Sequence, residues 1–314
     1  MRENKKTCPT SIGGQAVIEG VMMRGPKKIA IAVRTPSGEI EIDKKPVQSL
    51  TKRYKILKIP VLRGIIAFFE SMIVGVKSLM FSAKFFDLEA EEEIPSKFER
   101  LLDKIFGDKI QEALIYFSVI IAVAFGVGLF IMLPAVLAGF VNRFIAHGIL
   151  ATIIEGILRI SIFVLYIVLI SRMKDIQRVF EYHGAEHKSI FCYESGEELT
   201  VENVKKYARL HPRCGTSFLL IVMVVSIILF SFISWDNIWT RLGLRLLLLP
   251  LVAGLSYEVI KFSGRSRSVF AKIISIPGMY LQRLTTREPD DNQIEVAIEA
   301  LKHVMPENRE EDKW

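Results

Sequence analysis

Four long apolar segments constrain this chain more than any other feature. They cover residues 113–141, 149–171, 217–234 and 242–260. An α-helix rises about 1.5 Å per residue, so crossing the hydrocarbon core of a bilayer takes about 20 apolar residues. The sequence therefore predicts an integral membrane α-helical bundle with four transmembrane helices, and it excludes an ordinary soluble domain.

The distribution of lysine and arginine predicts the orientation of these spans. The first 55 residues carry twelve, the loop 172–216 carries eight and the chain after Ile260 carries nine. The two short connections, 142–148 and 235–241, carry one each. By the positive-inside rule both termini and the 172–216 loop lie in the cytosol. The basic residues of these cytosolic segments then explain the net charge of +7. We expect basic cytosolic segments to contact the bilayer and its anionic lipid headgroups, and we expect no nucleic-acid partner.

Residues 1–55 are predicted to form a small β-rich cytosolic unit. Large apolar residues stand at every second position over 29–34, and acidic and apolar residues alternate over 39–43. A turn signal, Thr35-Pro36-Ser37-Gly38, lies between the two stretches. This pattern predicts a β-hairpin with one polar face. A glycine-rich run, 13–26, precedes it and contains Glu19 and Arg24. Either the run is a closely packed strand, or one of these two side chains faces a functional site.

Residues 56–112 are predicted to connect this unit to the spans. The apolar stretch 56–86 has a charged residue at every seventh position: Arg63, Glu70, Lys77 and Lys84. A narrow polar stripe is typical of a helix that lies in the interface, re-enters the membrane or packs on a polar site. A fifth span would place twelve basic residues outside, so we predict an interfacial or re-entrant amphipathic helix followed by a linker. The membrane domain then covers 113–260, and cytosolic amphipathic helices and a charged tail cover 261–314.

Besides Glu258, which is two residues from the end of the fourth span, three charged residues fall within the predicted spans. Glu155 and Arg159 are four residues apart in the second span, and Arg245 lies in the fourth. Ionisable groups inside a bilayer either pair with each other or form a transport path. We expect Glu155 to pair with Arg159 or Arg245, and a small-solute or ion transporter stays open as an alternative.

The loop between the second and third spans concentrates residues that bind metals. It contains three of the five histidines, within Glu181-Tyr182-His183-Gly184-Ala185-Glu186-His187-Lys188 and His211-Pro212-Arg213-Cys214-Gly215. His183 and His187 are four residues apart, which places them on one face of a helix. The order His-x-x-Glu-His is that of the inverted zincins, in which both histidines bind zinc and the glutamate is the base.

The ligand set has two interpretations. If His183, His187 and one of His211 or Cys214 bind a zinc ion, a coordination position stays open and Glu186 is the general base. If all four side chains bind, the tetrahedron is closed and the site is structural. Gly184 argues against both interpretations, because glycine destabilises the helix that would place His183 and His187 on one face. Glu19, Glu181 and Glu258 are candidates to orient a metal-binding histidine from outside.

The two motifs and the run Gly13-Gly14-Gln15-Ala16-Val17-Ile18-Glu19-Gly20-Val21-Met22-Met23-Arg24-Gly25 resemble the YqhQ-like family of bacterial membrane proteins. The resemblance extends from about Ile12 to about Leu284. It implies a metal-dependent enzyme in the bacterial inner membrane, without naming a reaction. We therefore expect a zinc-dependent hydrolase at the cytosolic face. The alternatives are a membrane scaffold or regulator with a structural metal site, and a transporter that functions as a homo-oligomer.

Overall fold

The computed structural model describes residues 9–86, 110–142, 149–232, 238–265 and 268–312. This part of the chain is mainly helical, with one antiparallel sheet near the N-terminus. The strands are β1 (Gly13–Val17), β2 (Gly20–Arg24), β3 (Lys28–Arg34) and β4 (Ile40–Pro46). The helices are α1 (Leu50–Arg53), α2 (Leu62–Ala83), α3 (Ile110–Val127), α4 (Leu133–Asn142), α5 (Ile149–Ile170), α6 (Lys174–Glu194), α7 (Val201–Lys205), α8 (Thr216–Ser231), α9 (Ile238–Arg265), α10 (Val269–Thr285) and α11 (Asp291–Lys302).

The sheet is a meander in which each strand pairs with the next one along the chain. The predicted hairpin is confirmed, because β3 pairs with β4 from Arg34 opposite Ile40 to Lys28 opposite Pro46. Gly38 closes its turn with a φ of +89°, a conformation that glycine adopts without steric cost. A second hairpin joins β1 to β2 within the glycine-rich run.

Strand β3 is buried on both faces, so the predicted polar face is wrong for this strand. Ile29, Ile31 and Val33 pack on one side of the sheet. Ala30 and Ala32 point to the other side and are fully buried there. Small alanine side chains let a helix approach the sheet closely, and their weak apolar signal explains why the sequence suggested a single buried face.

Helices cover both faces of this sheet. On one face α6 and α11 share a core with the strands, to which Tyr182, Ala185, Ile294, Ala297 and Leu301 contribute. On the other face α2 contributes Val74 and Phe81. The polar stripe of α2 also meets partners, as expected for a stripe that packs on a polar surface: Arg63 forms an ion pair with Glu258 and Glu70 forms one with Arg24.

Four described helices are apolar and long enough to cross a membrane. Their spans are Leu62–Ala83, Phe117–Val141, Ile153–Ile170 and Leu242–Ser263. The prediction of four membrane-spanning helices agrees with this number, but the four segments are not all the same. Helix α2 qualifies, whereas α8, the predicted third span, has 16 residues. At about 1.5 Å per residue α8 is roughly 24 Å long, shorter than a typical hydrocarbon core. The end of that predicted span lies outside the described residues, as do residues 143–148 of the first short connection, 235–237 of the second and 87–109 of the predicted linker.

Glu155, Arg159 and Arg245 form one buried cluster, as the pairing hypothesis predicted. Both terminal nitrogens of Arg245 contact the carboxylate of Glu155, and one of these bonds measures 2.8 Å. Arg159 lies 3.2 Å from the same carboxylate and donates to Ser226 at 2.9 Å. Burying an unpaired charge is costly, and this arrangement gives each arginine an acidic partner.

Candidate metal centre

An unbroken helix carries the first two candidate ligands. Helix α6 runs from Lys174 to Glu194 without interruption, and the imidazole rings of His183 and His187 lie on one face with centroids 4.4 Å apart. Gly184 lies within this helix and does not interrupt it, although glycine is a poor helix former. The predicted spacing of four residues therefore places both histidines at one location.

Gly184 has a packing role in this helix. A Cβ atom at this position would lie 2.0 Å from the carbonyl oxygen of Arg287. Only glycine lets the segment after α10 lie this close, and the N–H of Arg287 donates to the carbonyl of Phe180 at 2.8 Å. The glycine between the two histidines thus attaches a distant segment of the chain to the metal-binding face.

Backbone carbonyls fix the tautomer of both histidines. The Nδ1 atom of His183 lies 2.8 Å from the carbonyl oxygen of Thr285, and that of His187 lies 2.5 Å from the carbonyl oxygen of Arg209. A carbonyl only accepts, so each Nδ1 must carry the proton. In the neutral ring Nε2 then carries the lone pair, which is the form in which imidazole binds a metal.

Cys214 adds a third donor to this pair. Its sulfur lies 3.2 Å from Nε2 of His183 and accepts a hydrogen bond from the N–H of Thr216 at 3.4 Å. The candidate ligand atoms of His183, His187 and Cys214 all lie within 4.8 Å of one another. Bond lengths to tetrahedral zinc imply donor separations of about 3.3–3.6 Å, so a modest contraction would enclose an ion.

The environment of His187 also favours a ligand at this point. Its Nε2 atom is buried and has no hydrogen-bond partner in the part of the chain that the structure describes. Buried polar atoms are rarely left unpaired, since losing hydration without a replacement costs about 1–3 kcal/mol. A metal ion would satisfy this atom.

Glu186 stands beside the three donors. One carboxylate oxygen lies 3.6 Å from Nε2 of His187 and 3.9 Å from Nε2 of His183. Burial raises the pKa of Glu186, although the nearby His183 and a hydrogen bond from the backbone of Gly14 act in the opposite direction. A Cβ atom on Gly14 would lie only 2.8 Å from Cγ of Glu186. The glycine-rich run therefore reaches the site through a backbone amide.

His211 lies next to this group, and its Nε2 atom, like that of His187, is buried with no hydrogen-bond partner among the described residues. Its Nδ1 atom accepts from the N–H of Arg213 at 3.3 Å, so the proton resides on Nε2, which lies 3.7 Å from Glu194. Burial lowers the pKa of His211 to about 4. Among the described residues, the group that could hold a metal ion consists of His183, His187 and Cys214.

Two polar side chains that the sequence did not single out hold this loop. The side-chain amide of Gln282 accepts from the N–H of His211 and donates to its carbonyl, both at 2.8 Å. Glu194 forms an ion pair with Arg213 and accepts from the N–H of Thr10 at 2.7 Å. Burial opposes ionisation of Glu194, but His211, Arg213 and the N–H of Thr10 together hold its pKa below the usual value.

The three predicted outer residues are engaged elsewhere. Glu19 pairs with Arg178 and lies 3.2 Å from the hydroxyl of Tyr182. Glu181 accepts from the side chain of Gln293 at 2.9 Å, and Glu258 pairs with Arg63. The acceptors next to the metal-binding histidines are backbone carbonyls, which carry no recognisable residue type in a sequence.

Comparisons with known proteins agree with the resemblance noted from the motifs. Residues 59–307 match a family described as "Protein of unknown function (DUF1385)". The chain belongs to this family. It is also 36% identical over 303 residues to "Uncharacterized protein YqhQ" of Bacillus subtilis (strain 168), covering 96% of this chain and 94% of that protein. No solved structure matches the chain.

Proposed function

We propose that this protein is a membrane-embedded, metal-dependent hydrolase that binds zinc and acts at the cytosolic face of the bacterial inner membrane. The observation that carries the proposal is the fixed tautomer of His183 and His187. Each ring donates its Nδ1 proton to a backbone carbonyl, and the free Nε2 lone pairs lie beside the sulfur of Cys214. Imidazole held in this way by an outer acceptor is typical of metal ligands.

Zinc fits this donor set. Two imidazoles and one thiolate suit a borderline-soft ion, and three protein ligands leave one position for water or substrate. A zinc ion bound there would polarise the substrate and lower the pKa of water. The carboxylate of Glu186 lies close enough to accept a proton at that position. Burial raises its pKa above the usual value, and a more basic carboxylate is a better proton acceptor.

The proposed orientation keeps both termini in the cytosol, with α2 lying along the membrane surface. Support comes from the two ends of α2. Near its start, Gly64 packs closely on Gly254 of α9, and further along Val74 and Phe81 pack on the sheet. A helix that covers the sheet lies on the same side of the membrane as the sheet. Its outer face is apolar, with exposed Phe68, Phe69, Met72 and Ile73.

Cobalt substitution tests the site without knowledge of the substrate. Purified full-length protein loaded with Co²⁺ should show a thiolate-to-cobalt charge-transfer band, and Cys214→Ser should abolish it. Metal content measured by mass spectrometry should fall to background in the His183→Ala/His187→Ala double variant. Cys192→Ser is the matched control, because Cys192 is equally buried and lies against the carbonyl of Glu198. Retention of wild-type metal content by the double variant would refute the proposal.

A structural site is the second candidate, since its residues are nearly enclosed: His187, Cys214 and Glu186 are all buried. In that case Glu186 would be the fourth ligand and the protein a scaffold or regulator. Azide distinguishes the two. An open position binds azide and shifts the cobalt spectrum, whereas a closed site does not respond. Glu186→Gln should keep the metal and the azide response if Glu186 is a base, and should lose affinity for the metal if it is a ligand.

A further inference from the structure

Strand β1 lies at one edge of the sheet, beside the metal centre. Among the strands that the structure describes, β1 pairs with β2 alone. Gly13 and Gly14, at its start, are exposed. The backbone N–H of Gly14 donates to Glu186, whose carboxylate lies 3.6 Å from Nε2 of His187. One end of this edge strand is therefore next to the proposed general base.

The register shows which backbone groups of β1 point away from β2. At the turn between β2 and β3, the N–H of Gly25 donates to the carbonyl of Lys28 at 2.9 Å, so the odd-numbered residues of β2 bond to β3. Bonding positions alternate along a strand, so the even-numbered residues of β2 bond to β1. Their partners are the odd-numbered residues of β1. The N–H and carbonyl groups of Gly14 and Ala16 therefore point to the outer side of the sheet.

Most of these outward groups are available to a further chain. Glu186 accepts from the N–H of Gly14. The carbonyl of Gly14 and both backbone groups of Ala16 have no hydrogen-bond partner in the part of the chain that the structure describes. Such a row of donors and acceptors is a template for another strand, which pairs about 4.8 Å away.

The two edges of the sheet differ in the way they meet other chains. The opposite edge, β4, has the sequence Ile-Glu-Ile-Asp-Lys-Lys-Pro. Charged side chains and proline on an edge strand prevent it from pairing with another chain. Strand β1 has the sequence Gly-Gly-Gln-Ala-Val, without charge or proline. A Cβ at Gly13 would have no described atom within 4 Å. Only β1 therefore has the composition of an edge that accepts a strand.

We propose that β1 binds an extended polypeptide as an additional strand, and that this polypeptide is the substrate of the metal centre. The inference rests on the proposed function, because it names the substrate class of the same site. The carbonyl of Gly14 and the N–H of Ala16 bond to the substrate backbone, which then passes beside Glu186. Main-chain hydrogen bonds of this kind provide affinity for an extended peptide of almost any sequence.

The reaction at the bound segment is hydrolysis of one peptide bond. Water adds to the carbonyl carbon and the bond from this carbon to nitrogen breaks. Both protons of the water pass to the departing nitrogen, the first of them through Glu186. The products are a carboxylate and an ammonium group, so no oxidant, reductant or further reactant is needed.

Ligand binding to full-length protein loaded with Co²⁺ in detergent tests this inference without measuring catalysis. The probes are acetohydroxamate, which offers a metal-binding group alone, and acetyl-tetraalanine hydroxamate, which adds an extended backbone. Changes in the cobalt spectrum report the binding of each probe. We expect the wild type to bind the peptide probe about tenfold more tightly, because two hydrogen bonds contribute severalfold each. The peptide probe should also slow amide hydrogen exchange in residues 13–17, whereas acetohydroxamate should not.

Ala16→Pro removes one of the two pairing groups selectively. Proline has no N–H, and the N–H of Ala16 points away from β2, so the β1–β2 ladder loses no hydrogen bond. This variant should keep its metal and its affinity for acetohydroxamate, and lose most of the tenfold preference for the peptide probe. Ala16→Val is the matched control, because it also enlarges the side chain but retains the N–H. It should keep the preference.

The outcomes distinguish this inference from the proposed function. If the wild type binds both probes equally well, the peptide substrate is refuted and the metal-dependent hydrolase stands. An unchanged preference in Ala16→Pro would refute pairing on β1. If neither probe changes the cobalt spectrum, the centre has no open position and both proposals fail. The comparison of the two probes on the wild type does not depend on the folding of any variant.

Discussion

Replacing Gly184 by alanine should damage the metal centre without touching a ligand. The new Cβ would lie 2.0 Å from the carbonyl oxygen of Arg287, whereas real Cβ atoms stay beyond 3.0 Å. The segment that contains Arg287 must therefore move by about 1 Å, the difference between these two distances. Thr285 is two residues away on the same segment, and its carbonyl accepts from His183 at 2.8 Å. A movement of this size would break that bond.

Two opposing terms set the magnitude. Alanine is a better helix former than glycine by about 1 kcal/mol, which alone would stabilise α6. Overpacking a buried contact costs about 1–3 kcal/mol, and losing the hydrogen bond to His183 costs about 1 kcal/mol more. We expect a net destabilisation of about 1–3 kcal/mol. Loss of an outer acceptor also weakens metal binding by about 10–100-fold.

The assay is a competition for zinc with a chromophoric chelator, together with thermal unfolding in detergent. Gly139→Ala is the matched control, because Gly139 also lies inside a helix, α4, and within the described residues no atom beyond the helix's own backbone lies within 4 Å of a Cβ there. The control should retain wild-type zinc affinity and be unchanged or slightly more stable. If Gly184→Ala has the same zinc affinity and thermal stability as the control, the reasoning is refuted. The close packing of α6 on the segment after α10 then does not position the ring of His183.

Two further predictions concern buried charges. Glu155→Gln removes the carboxylate that pairs with both Arg159 and Arg245, and should lower the free energy of unfolding by about 3–5 kcal/mol. An unchanged melting temperature would contradict this. The pKa of His211 is lowered to about 4, so between pH 6.5 and 4 the unfolded chain binds more protons than the folded one. The contribution of His211 is complete above pH 6.5 and is lost as the pH falls, by about 2 kcal/mol at pH 5; His211→Gln should show a smaller decrease in melting temperature between pH 7 and 5.

Local patterns in the sequence predicted the features that depend on neighbouring residues. The spacing of His183 and His187 predicted a shared helix face, and alternation predicted the β3–β4 hairpin. Hydropathy predicted membrane helices, but it cannot separate a span from a surface helix. Helix α2 is long and apolar enough to cross a membrane, yet part of it packs on the sheet. Which surface an apolar helix meets depends on tertiary contacts, which composition does not encode.

The surroundings of His211 could not be predicted from the sequence for a different reason. Its position three residues before Cys214 is consistent with a ligand pair, and the sequence offered no way to separate the two. In the structure Cys214 lies with His183 and His187, whereas the N–H of Arg213 donates to the ring of His211 and Gln282 holds its backbone. The contact with Gln282 joins residues 71 positions apart, and the donor in both contacts is a backbone N–H. A single sequence records neither the distance nor the backbone donor.

The same reasoning indicates which substitutions reach the metal centre. The acceptors for His183 and His187 are the carbonyls of Thr285 and Arg209, and any residue at these two positions supplies a carbonyl. Their side chains can change without removing the acceptor. Gly14 and Gly184 are different, because a Cβ at either position would collide with the site or its support. The residue type is therefore restricted at the two glycines, because only glycine lets these separate segments of the chain pack together. It is not restricted in this way at Thr285 and Arg209, which contribute only a backbone carbonyl.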